Sequence, residues 1–525
     1  MPDHILTYLI FLPILAAFVA LFIPRDRAAW FRVLNLAACA IQAVLVIMAI
    51  SRYGHETGEL RLVERMQWFT LNLGTWGNLQ AEYFLGVDGL SFPLVVLTVF
   101  VMLIAGISSW TIAKGVKGYF ILILILNAAV IGSFVALDLL LFYLFFEFML
   151  LPMFFLIGIW GGSRREYASI KFFLYTLCGS ILILIAFIAL YLSGSVPGDE
   201  TTHTFNMVYL RDPGNYLAGS ILDPSGSWLI GGWSARNWAF LLLFIGFAIK
   251  LPMVPFHTWL PDAHVEAPTP ASVILAALLL KIGGYGLMRI AYPLFPDAAM
   301  SLSWVVGLFG VVSIIYGALT AMASKDLKRL IAYSSVSHMG FVLLGMASAT
   351  QEGVAGAVYQ MVSHGVITTM LFLIAGVLYD RTSDRMIENY SGLARIMPAY
   401  FAVVLIAFFA SLGLPGFSGF IAEIMVFLGA FRSEVIHLSL AVIATLGLAL
   451  GAAYYLWTIQ RMFFGTLHVR GGAATEQLVD LGMREKVMFL PLAATTLILG
   501  IFPQLLLRYI DPFALGFVAL LNGGN

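Results

Sequence analysis

Long apolar runs separated by short polar connections dominate the chain. A transmembrane helix needs about 20 mostly apolar residues, and about fourteen segments qualify. They centre near Leu15, Ala40, Leu97, Leu126, Leu150, Leu182, Phe247, Ala277, Phe309, Ser337, Ile367, Ala410, Ala449 and Thr496. The pattern predicts an all-α polytopic membrane protein. Its first run lacks a basic flank and a cleavage site, so we interpret it as a retained span rather than a signal peptide.

Two of these runs contain helix-breaking residues. The seventh holds Pro252 and Pro255, and the twelfth holds Gly413, Pro415 and Gly416. Proline removes an N–H that a continuous helix needs, and irregular backbone at membrane depth is tolerated only inside protein or beside a water-filled cavity. The breaks lie five spans apart, so their surroundings run in opposite directions. Paired broken helices of this kind predict two inverted five-helix repeats.

This organisation divides the chain into four predicted parts. They are residues 1–112 with spans one to three, 113–293 with the first repeat, 294–466 with the second repeat, and 467–525 with span fourteen. The two longest connections, 51–82 and 194–237, are rich in glycine, aspartate, asparagine and tryptophan. We therefore expect loops or interfacial turns there.

Composition narrows the class of function. The 525 residues are 61% hydrophobic and 11% charged, whereas soluble domains carry about 25% charged residues. The 28 basic and 28 acidic residues cancel, which leaves no basic field for nucleic acid. Cys39 and Cys178 are too few for a cysteine-ligated iron–sulfur cluster or a disulfide framework. With no nucleotide-binding loop either, redox chemistry belongs to another chain.

The distribution of lysine and arginine predicts the orientation. With the N-terminus outside, most of them fall in cytoplasmic connections, as the positive-inside rule requires. Lys328 and Arg470 are assigned to these connections and Arg289 to an outer one. An even number of spans then places both termini on the outer side of the membrane.

Ionisable residues inside the membrane are costly and mark ion pathways. Glu147 has no ionisable near neighbour, and Lys250 lies at the break in span seven. Opposite charges favour each other's ionised forms, so we predict a pair whose spacing acts as a switch. The alternative is a static buried ion pair.

Four further side chains extend this set. Lys281 lies near the middle of span eight, His338 and His364 lie on spans ten and eleven, and Glu423 follows the break in span twelve. Because imidazole can relay protons, we expect a central lysine, a histidine relay and a terminal carboxylate. The alternatives are a snorkelling lysine, histidines satisfied by nearby hydroxyls and a helix-packing glutamate.

Weaker candidates lie outside the apolar runs. Asp138 precedes span five and is interpreted as a helix N-cap. His257, Asp262, His264 and Glu266 follow the first break, but their histidines lack a familiar metal-ligand spacing. We expect a polar mouth on the cytoplasmic side, or a contact with a neighbouring subunit, rather than a metal site.

Five ordered motifs resemble the signature of the antiporter-like subunits of respiratory complex I. They are Lys250-Leu-Pro, Phe256-His-Thr-Trp-Leu-Pro-Asp-Ala-His, Leu279-Leu-Lys-Ile-Gly-Gly-Tyr-Gly, Tyr333-Ser-Ser-Val-Ser-His and Gly413-Leu-Pro-Gly-Phe. The resemblance implies that quinone reduction on other subunits drives protons from cytoplasm to periplasm. It implies that Glu147 and Lys250 form a coupled pair and that Lys281 is a central lysine. It also implies that His338 and His364 form a linking relay and that Glu423 is the terminal ionisable site.

The same resemblance implies the partners and cofactors. Other membrane-arm subunits, including neighbouring antiporter-like subunits, and membrane lipid are expected around the chain. FMN, iron–sulfur clusters, NADH and quinone are expected on other subunits, and none on this chain. The alternatives are a subunit of a multi-subunit sodium/proton antiporter, a subunit of a membrane-bound hydrogenase, and a purely structural spacer.

Overall fold

The structure, a computed structural model, describes residues 4–54, 59–72, 74, 78–226, 228–469 and 478–523. Helices dominate it. In chain order they are α1 Ile5–Phe22, α2 Ala28–Tyr53, α3 Ser91–Thr111, α4 Val116–Val135, α5 Leu139–Trp160, α6 Arg165–Ser193, α7 Ala235–Lys250, α8 Trp259–Glu266, α9 Thr269–Leu294, α10 Pro296–Ala323, α11 Leu327–Ala347, α12 Gln351–Thr382, α13 Pro398–Ser411, α14 Ser418–Arg432, α15 Leu438–Phe463, α16 Met483–Ile501 and α17 Gln504–Leu521.

Within the described residues, twelve helices are long and apolar enough to cross a membrane. The predicted helical membrane protein is confirmed, while the count of about fourteen and the inverted repeats stay predictions. The last part of the chain holds α17 after α16, a second helix that the sequence analysis did not predict. Leu506, Ile510 and Phe517 are buried, whereas Leu505 and Leu515 are exposed. Among the twelve helices α17 is the least apolar, because Arg508 and Asp511 interrupt its apolar residues.

Both predicted breaks fall between two helices. After α7, the N–H of Met253 donates to the carbonyl of Ala248 at 3.0 Å, because Pro252 in the preceding position has no N–H to offer. After α13, Gly413 has φ +75°, and the N–H of Leu414 closes the helix end on a carbonyl five residues back. That each pair of helices crosses the membrane as one interrupted span stays a prediction.

A small sheet covers one end of the helix bundle. Its strand order is β1-β2-β4-β3, with β1 Arg61–Asn72, β2 Asn78–Val87, β3 Ser195–Val196 and β4 Asp199–Thr204. β1 and β2 form an antiparallel hairpin, and β4 lies parallel to β2. We call this the sheet end of the bundle. Two-stranded pairs join β5 Leu229–Ile230 to β6 Trp233–Ser234 and β7 Tyr390–Ser391 to β8 His468–Val469.

The sheet corrects one expectation. The described chain is mostly helical, as predicted, but the connections 51–82 and 194–237 contain strands where only loops or interfacial turns were expected. The physical reason lies in β1, where Leu62 and Glu64 are buried but most of the following residues are exposed. Such a strand lacks the sustained alternation of apolar and polar residues that predicts strands.

Three helices lie at the centre of the bundle. The most apolar windows of α9, α11 and α12 are buried along their whole length. Glycines permit the closest approach between neighbouring helices: a Cβ added at Gly340 of α11 would lie 2.6 Å from the carbonyl oxygen of Gly310 in α10. The enclosed helices are therefore held by close packing of protein on all sides, away from lipid.

Two basic residues lie deeper than the sequence analysis placed them. Arg289 was assigned to an outer connection and Lys328 to a cytoplasmic one, but both are buried within helices, α9 and α11. Each has a partner that offsets the cost of burial: Arg289 pairs with Asp88, and Lys328 donates to the carbonyl of Ala267. Arg470 lies outside the described residues.

Candidate functional site

The site begins at Lys281, on a helix with unusual geometry. α9 widens to π-helix at Leu275–Leu279 and Leu287–Ala291, on either side of the lysine. Such segments are frequent at functional sites. A Cβ added at Gly283 would lie 2.6 Å from the backbone nitrogen of Leu251. Glycine at this position therefore lets α9 pack directly against the break that follows Lys250.

The ammonium group of Lys281 is held inside the protein. Its side chain has no exposed surface. Nζ lies 2.6 Å from the carbonyl oxygen of Ala276 and 2.6 Å from Nδ1 of His364 on α12. Since the amine points to a histidine of another helix, the arrangement differs from that of a lysine snorkelling to the surface.

The two histidines continue the row. Their ring centroids lie 5.4 Å apart, and Nε2 of His364 has no hydrogen-bond partner among the described residues. His338 Nε2 lies 3.2 Å from the hydroxyl of Ser411, which in turn lies 2.7 Å from the hydroxyl of Tyr455. The ring is therefore fixed on one side by a hydroxyl chain.

The other ring nitrogen of His338, Nδ1, faces one hydrogen-bond donor and one acceptor. Nδ1 lies 3.2 Å from the amide nitrogen of Gln360, which donates, and 3.5 Å from Oε1 of Glu423, which accepts. An unprotonated Nδ1 can accept from Gln360, and a protonated one can donate to Glu423. The geometry thus permits a change of partner that follows the proton.

Glu423 closes the row at the second break. The carboxylate lies over Gly413, where an added Cβ would come within 2.2 Å of Oε2. A cavity of about 10 Å³ touches His338, His364, Ser411 and Glu423, which is room for about one water molecule. Lys281, His364, His338 and Glu423 therefore form one continuous buried row, the central row.

Glu147 and Lys250 are near each other but not in contact. Glu147 is close enough for its charge to act on Lys250, yet no ion pair within 4 Å joins them among the described residues. Lys250 Nζ instead lies 3.7 Å from the centroid of the Phe146 ring. Neither Nζ nor Glu147 Oε1 has a hydrogen-bond partner within the described part of the chain. The predicted coupling of this pair stays a prediction, with the two groups apart in this conformation.

The polar residues after the first break do not stay together. Asp262 pairs with Lys171 at 2.7 Å, His257 packs on the ring of Tyr316, and Glu266 accepts a hydrogen bond from the backbone of Arg164. Separately, Asp138 accepts from the N–H of Leu141 at 3.0 Å, which confirms the predicted N-cap.

His264 and Lys328 are two further buried ionisable groups, toward the end of the bundle opposite the sheet. The ring of His264 stacks on that of Phe372, with centroids 4.4 Å apart, and lies within electrostatic range of Lys281 and Lys328. Its two ring nitrogens have no hydrogen-bond partner among the described residues. Lys328 and Glu266 line a cavity of about 330 Å³ that opens at this end, and many water molecules fit in such a volume.

Sequence reasoning did not single out Lys328, Ser411 or Tyr455. Lys328 lies one residue inside its helix and resembles an ordinary loop lysine in the sequence. Ser411 and Tyr455 are common residue types in membrane helices, and only long-range packing brings Ser411 to His338 and Tyr455 to Ser411. The sequence gives one hint for Ser411, which lies directly before the second break, and none for Tyr455.

Comparison with known families decides the relationship. Residues 136–448 match the model of the NADH:quinone oxidoreductase/Mrp antiporter transmembrane family. The chain belongs to this family. The matched stretch contains the central row and the pair Glu147 and Lys250, so every predicted site residue lies in the region that defines these antiporter-like subunits.

Individual relatives agree with this assignment. The chain is 42% identical over 517 residues to the NADH-quinone oxidoreductase subunit M of Rhodobacter capsulatus, covering 97% of this chain and 95% of that one. A chain of respiratory complex I from Thermus thermophilus superimposes with a TM-score of 0.81 at 31% identity, covering 98% and 99%. A chain of the Mrp complex from Dietzia sp. gives 0.81 at 21% identity, covering 98% and 97%, and shares the fold. The resemblance predicted from the motifs is confirmed.

Proposed function

We propose that the chain is a proton-translocating membrane-arm subunit of a bacterial NADH:quinone oxidoreductase. The observation that carries this proposal is the central row, in which four buried ionisable side chains connect the two broken regions of the fold. Lys281 and His364 are joined at 2.6 Å, and His338 faces Glu423 at 3.5 Å. Intramembrane ionisable groups placed in series are typical of proton relays.

The proposed path runs between opposite ends of the bundle. A proton enters the cavity at Lys328, passes His264 to Lys281, crosses through His364 and His338, and leaves past Glu423 toward the sheet end. The positive-inside rule makes the end opposite the sheet cytoplasmic, since Arg164 and Arg165 lie there. Protons then move from cytoplasm to periplasm, and both termini face the periplasm.

A change in the charges of Glu147 and Lys250 would supply enough free energy to move a proton against the membrane potential. Moving one charge against the membrane potential costs about 2.3 kcal/mol per 100 mV. A change of two pKa units at one site corresponds to about 2.7 kcal/mol. Because Lys250 contacts an aromatic face rather than Glu147 in this conformation, closing the pair is the motion that would change both groups' affinity for protons.

The partners and cofactors follow from the same proposal. Other membrane-arm subunits, including neighbouring antiporter-like subunits, would contact this chain. Lipid would cover exposed apolar residues such as Leu15 and Phe22. FMN, iron–sulfur clusters, NADH and quinone would be bound by other subunits. The alternatives are a subunit of a sodium/proton antiporter and a subunit of a membrane-bound hydrogenase.

Glu147→Gln and Lys250→Met are the variants that test this proposal. Each keeps the size of the side chain and removes its charge, so the switch cannot operate. We expect NADH–quinone turnover and proton pumping in membrane vesicles to fall together, by about tenfold or more, while assembly and NADH oxidation by an artificial acceptor are kept.

Glu166→Gln is the matched control, because this exposed glutamate of α6 lies outside the path. Its pumping should equal that of the unmodified complex. If Glu147→Gln and Lys250→Met leave NADH-driven activity unchanged but abolish sodium tolerance of the cells, the chain is an antiporter subunit and the proposal is wrong.

A further inference from the structure

A buried ion pair lies between Lys281 and the sheet end. On α9, Tyr285 follows Lys281 by about one helical turn, and Arg289, in the second π-helical segment, lies over the Tyr285 ring at 5.5 Å from its centroid. Arg289 is therefore roughly two turns beyond Lys281 along α9. Its Nη2 donates to Oδ1 of Asp88, directly after β2, at 2.5 Å. The amine of Lys281 points the other way, to Ala276 and His364, and Tyr285 and Arg289 are the polar groups of α9 on the side toward the sheet end.

The pair is enclosed and incompletely satisfied. The side chains of Arg289 and Asp88 are 0% and 2% exposed. Arg289 Nε and Nη1, Asp88 Oδ2 and the hydroxyl of Tyr285 have no hydrogen-bond partner among the described residues. Arg289 also lies over the rings of Tyr285 and Phe513, 5.5 and 5.9 Å from their centroids. The guanidinium of Arg289 therefore lies between Lys281 and the sheet end of the bundle, and its Nε and Nη1 donate to no other described group.

Arginine is the one basic side chain that cannot serve as a relay here. Its guanidinium keeps its proton in proteins, whereas a lysine or a histidine at the same place could release one. A fixed positive charge also repels an approaching proton, and it does so more strongly in a buried site than in water. The position thus carries charge without offering a site for proton transfer.

Asp88 owes its ionised form in large part to Arg289, alongside the N–H groups of Leu90 and Ser91 that donate to its Oδ1 at 3.0 and 3.1 Å. Burial opposes its ionisation, but the charge and hydrogen bond of Arg289 outweigh burial and hold the pKa of this carboxyl below its usual value. Aromatic rings fill the neighbouring space, since Tyr285 packs against Phe134 and Phe142. Water therefore has little room beside the pair.

We propose that Arg289, paired with Asp88, is a positioning residue that closes the sheet end of the first repeat to protons. A proton on Lys281 can then leave only sideways, through His364 to the second repeat. This inference rests on the proposed function, because it assumes that Lys281 carries protons. It adds a barrier that stops protons on Lys281 from passing directly to the periplasmic side without crossing His364 and His338.

Passive proton leak through the purified complex in liposomes tests the barrier, with a pH step and no NADH. Arg289→Gln removes the fixed charge and makes a proton on Asp88 less costly, since the charge of Arg289 holds the pKa of that carboxyl down. We expect proton flux about tenfold faster than in the unmodified complex, equivalent to a barrier lowered by about 1.4 kcal/mol. Adding Lys281→Met to Arg289→Gln should remove the extra leak, because no proton is then held at Lys281.

Two variants separate a barrier from mere stabilisation. Asp88→Asn breaks the same pair but keeps the positive charge, so its liposomes should stay tight. Arg236→Gln removes another arginine–aspartate pair at the same end, in which Arg236 is mostly buried and Asp297 is 54% exposed, and should also stay tight. Equal leaks in Asp88→Asn and Arg289→Gln, or a leak that persists without Lys281, would show structural damage and overturn the proposal.

If Arg289→Gln does not assemble, Arg289→Lys takes its place. It keeps a cation beside Asp88 but can release a proton, so we expect a leak above that of the unmodified complex. Tight liposomes with an assembled Arg289→Gln or Arg289→Lys complex contradict the barrier. Such a result leaves the proposed function standing, because that function is tested separately, by removing the charges of Glu147 and Lys250.

Discussion

Replacing Lys281 by methionine is expected to lower NADH-driven proton pumping about tenfold or more, the scale of losing a positioned proton-transfer group. Methionine resembles lysine in length and fills the same space, so the packing of α9 is largely kept. The amine that lies 2.6 Å from His364 is lost, and with it the link between α9 and the histidines. The measurement is the initial rate of acidification in inverted membrane vesicles after NADH addition.

Lys325→Met provides the control for this loss. The side chain of Lys325 is 71% exposed, and its Nζ lies 3.7 Å from Oε2 of Glu388. Such an exposed ion pair contributes little to stability. Its variant should pump normally. Normal pumping by an assembled Lys281→Met complex would mean that the amine is a structural group and that protons cross elsewhere.

Glu423→Gln is expected to have the second large effect. Glutamine fits the space over Gly413 and can still hydrogen-bond, but it cannot accept and release a proton at this site. A proton arriving at His338 then has no carboxylate to receive it. We expect pumping to fall about tenfold or more with assembly intact, measured in the same vesicles.

Gly413→Ala should reproduce part of this effect without changing the carboxylate. An alanine Cβ would lie 2.2 Å from Glu423 Oε2 and would occupy a residue with φ +75°, a conformation that costs alanine roughly 1–2 kcal/mol. Both consequences move the carboxylate away from His338. Glu434→Gln, at an exposed position beyond α14, is the control that should pump normally. Full pumping by Glu423→Gln would remove this residue from the path.

Hydropathy and residue type were enough to predict the helical membrane fold and the residues of the central row. Each of these side chains is chemically conspicuous, because a lysine or glutamate inside an apolar run is costly. The breaks were also visible, since proline and glycine act locally on the backbone. The contact between Lys281 and His364 joins residues far apart in the chain, so only the packing of α9 against α12 reveals it.

Other features left no local signal. The sheet escaped prediction because β1 is mostly exposed and lacks alternation. Arg289 and Lys328 looked like residues of connections, since both lie close to helix ends, and burial depends on the partners that the fold brings to them. Tyr455 is an unremarkable tyrosine until α15 places its hydroxyl against Ser411.

The central claim is that protons pass Lys281, His364, His338 and Glu423 in succession. Pumping rates of the milder variants His364→Gln and Glu423→Asp, alone and combined, test it most directly. If each substitution slows a different step of one path, the times of the two slow steps add. The double variant should then pump at no less than about half the rate of the slower single variant. Effects of two substitutions on one and the same step are coupled and do not add in this way. Single variants that pump at the unmodified rate, or losses that multiply in the double variant, would contradict a single path through these residues.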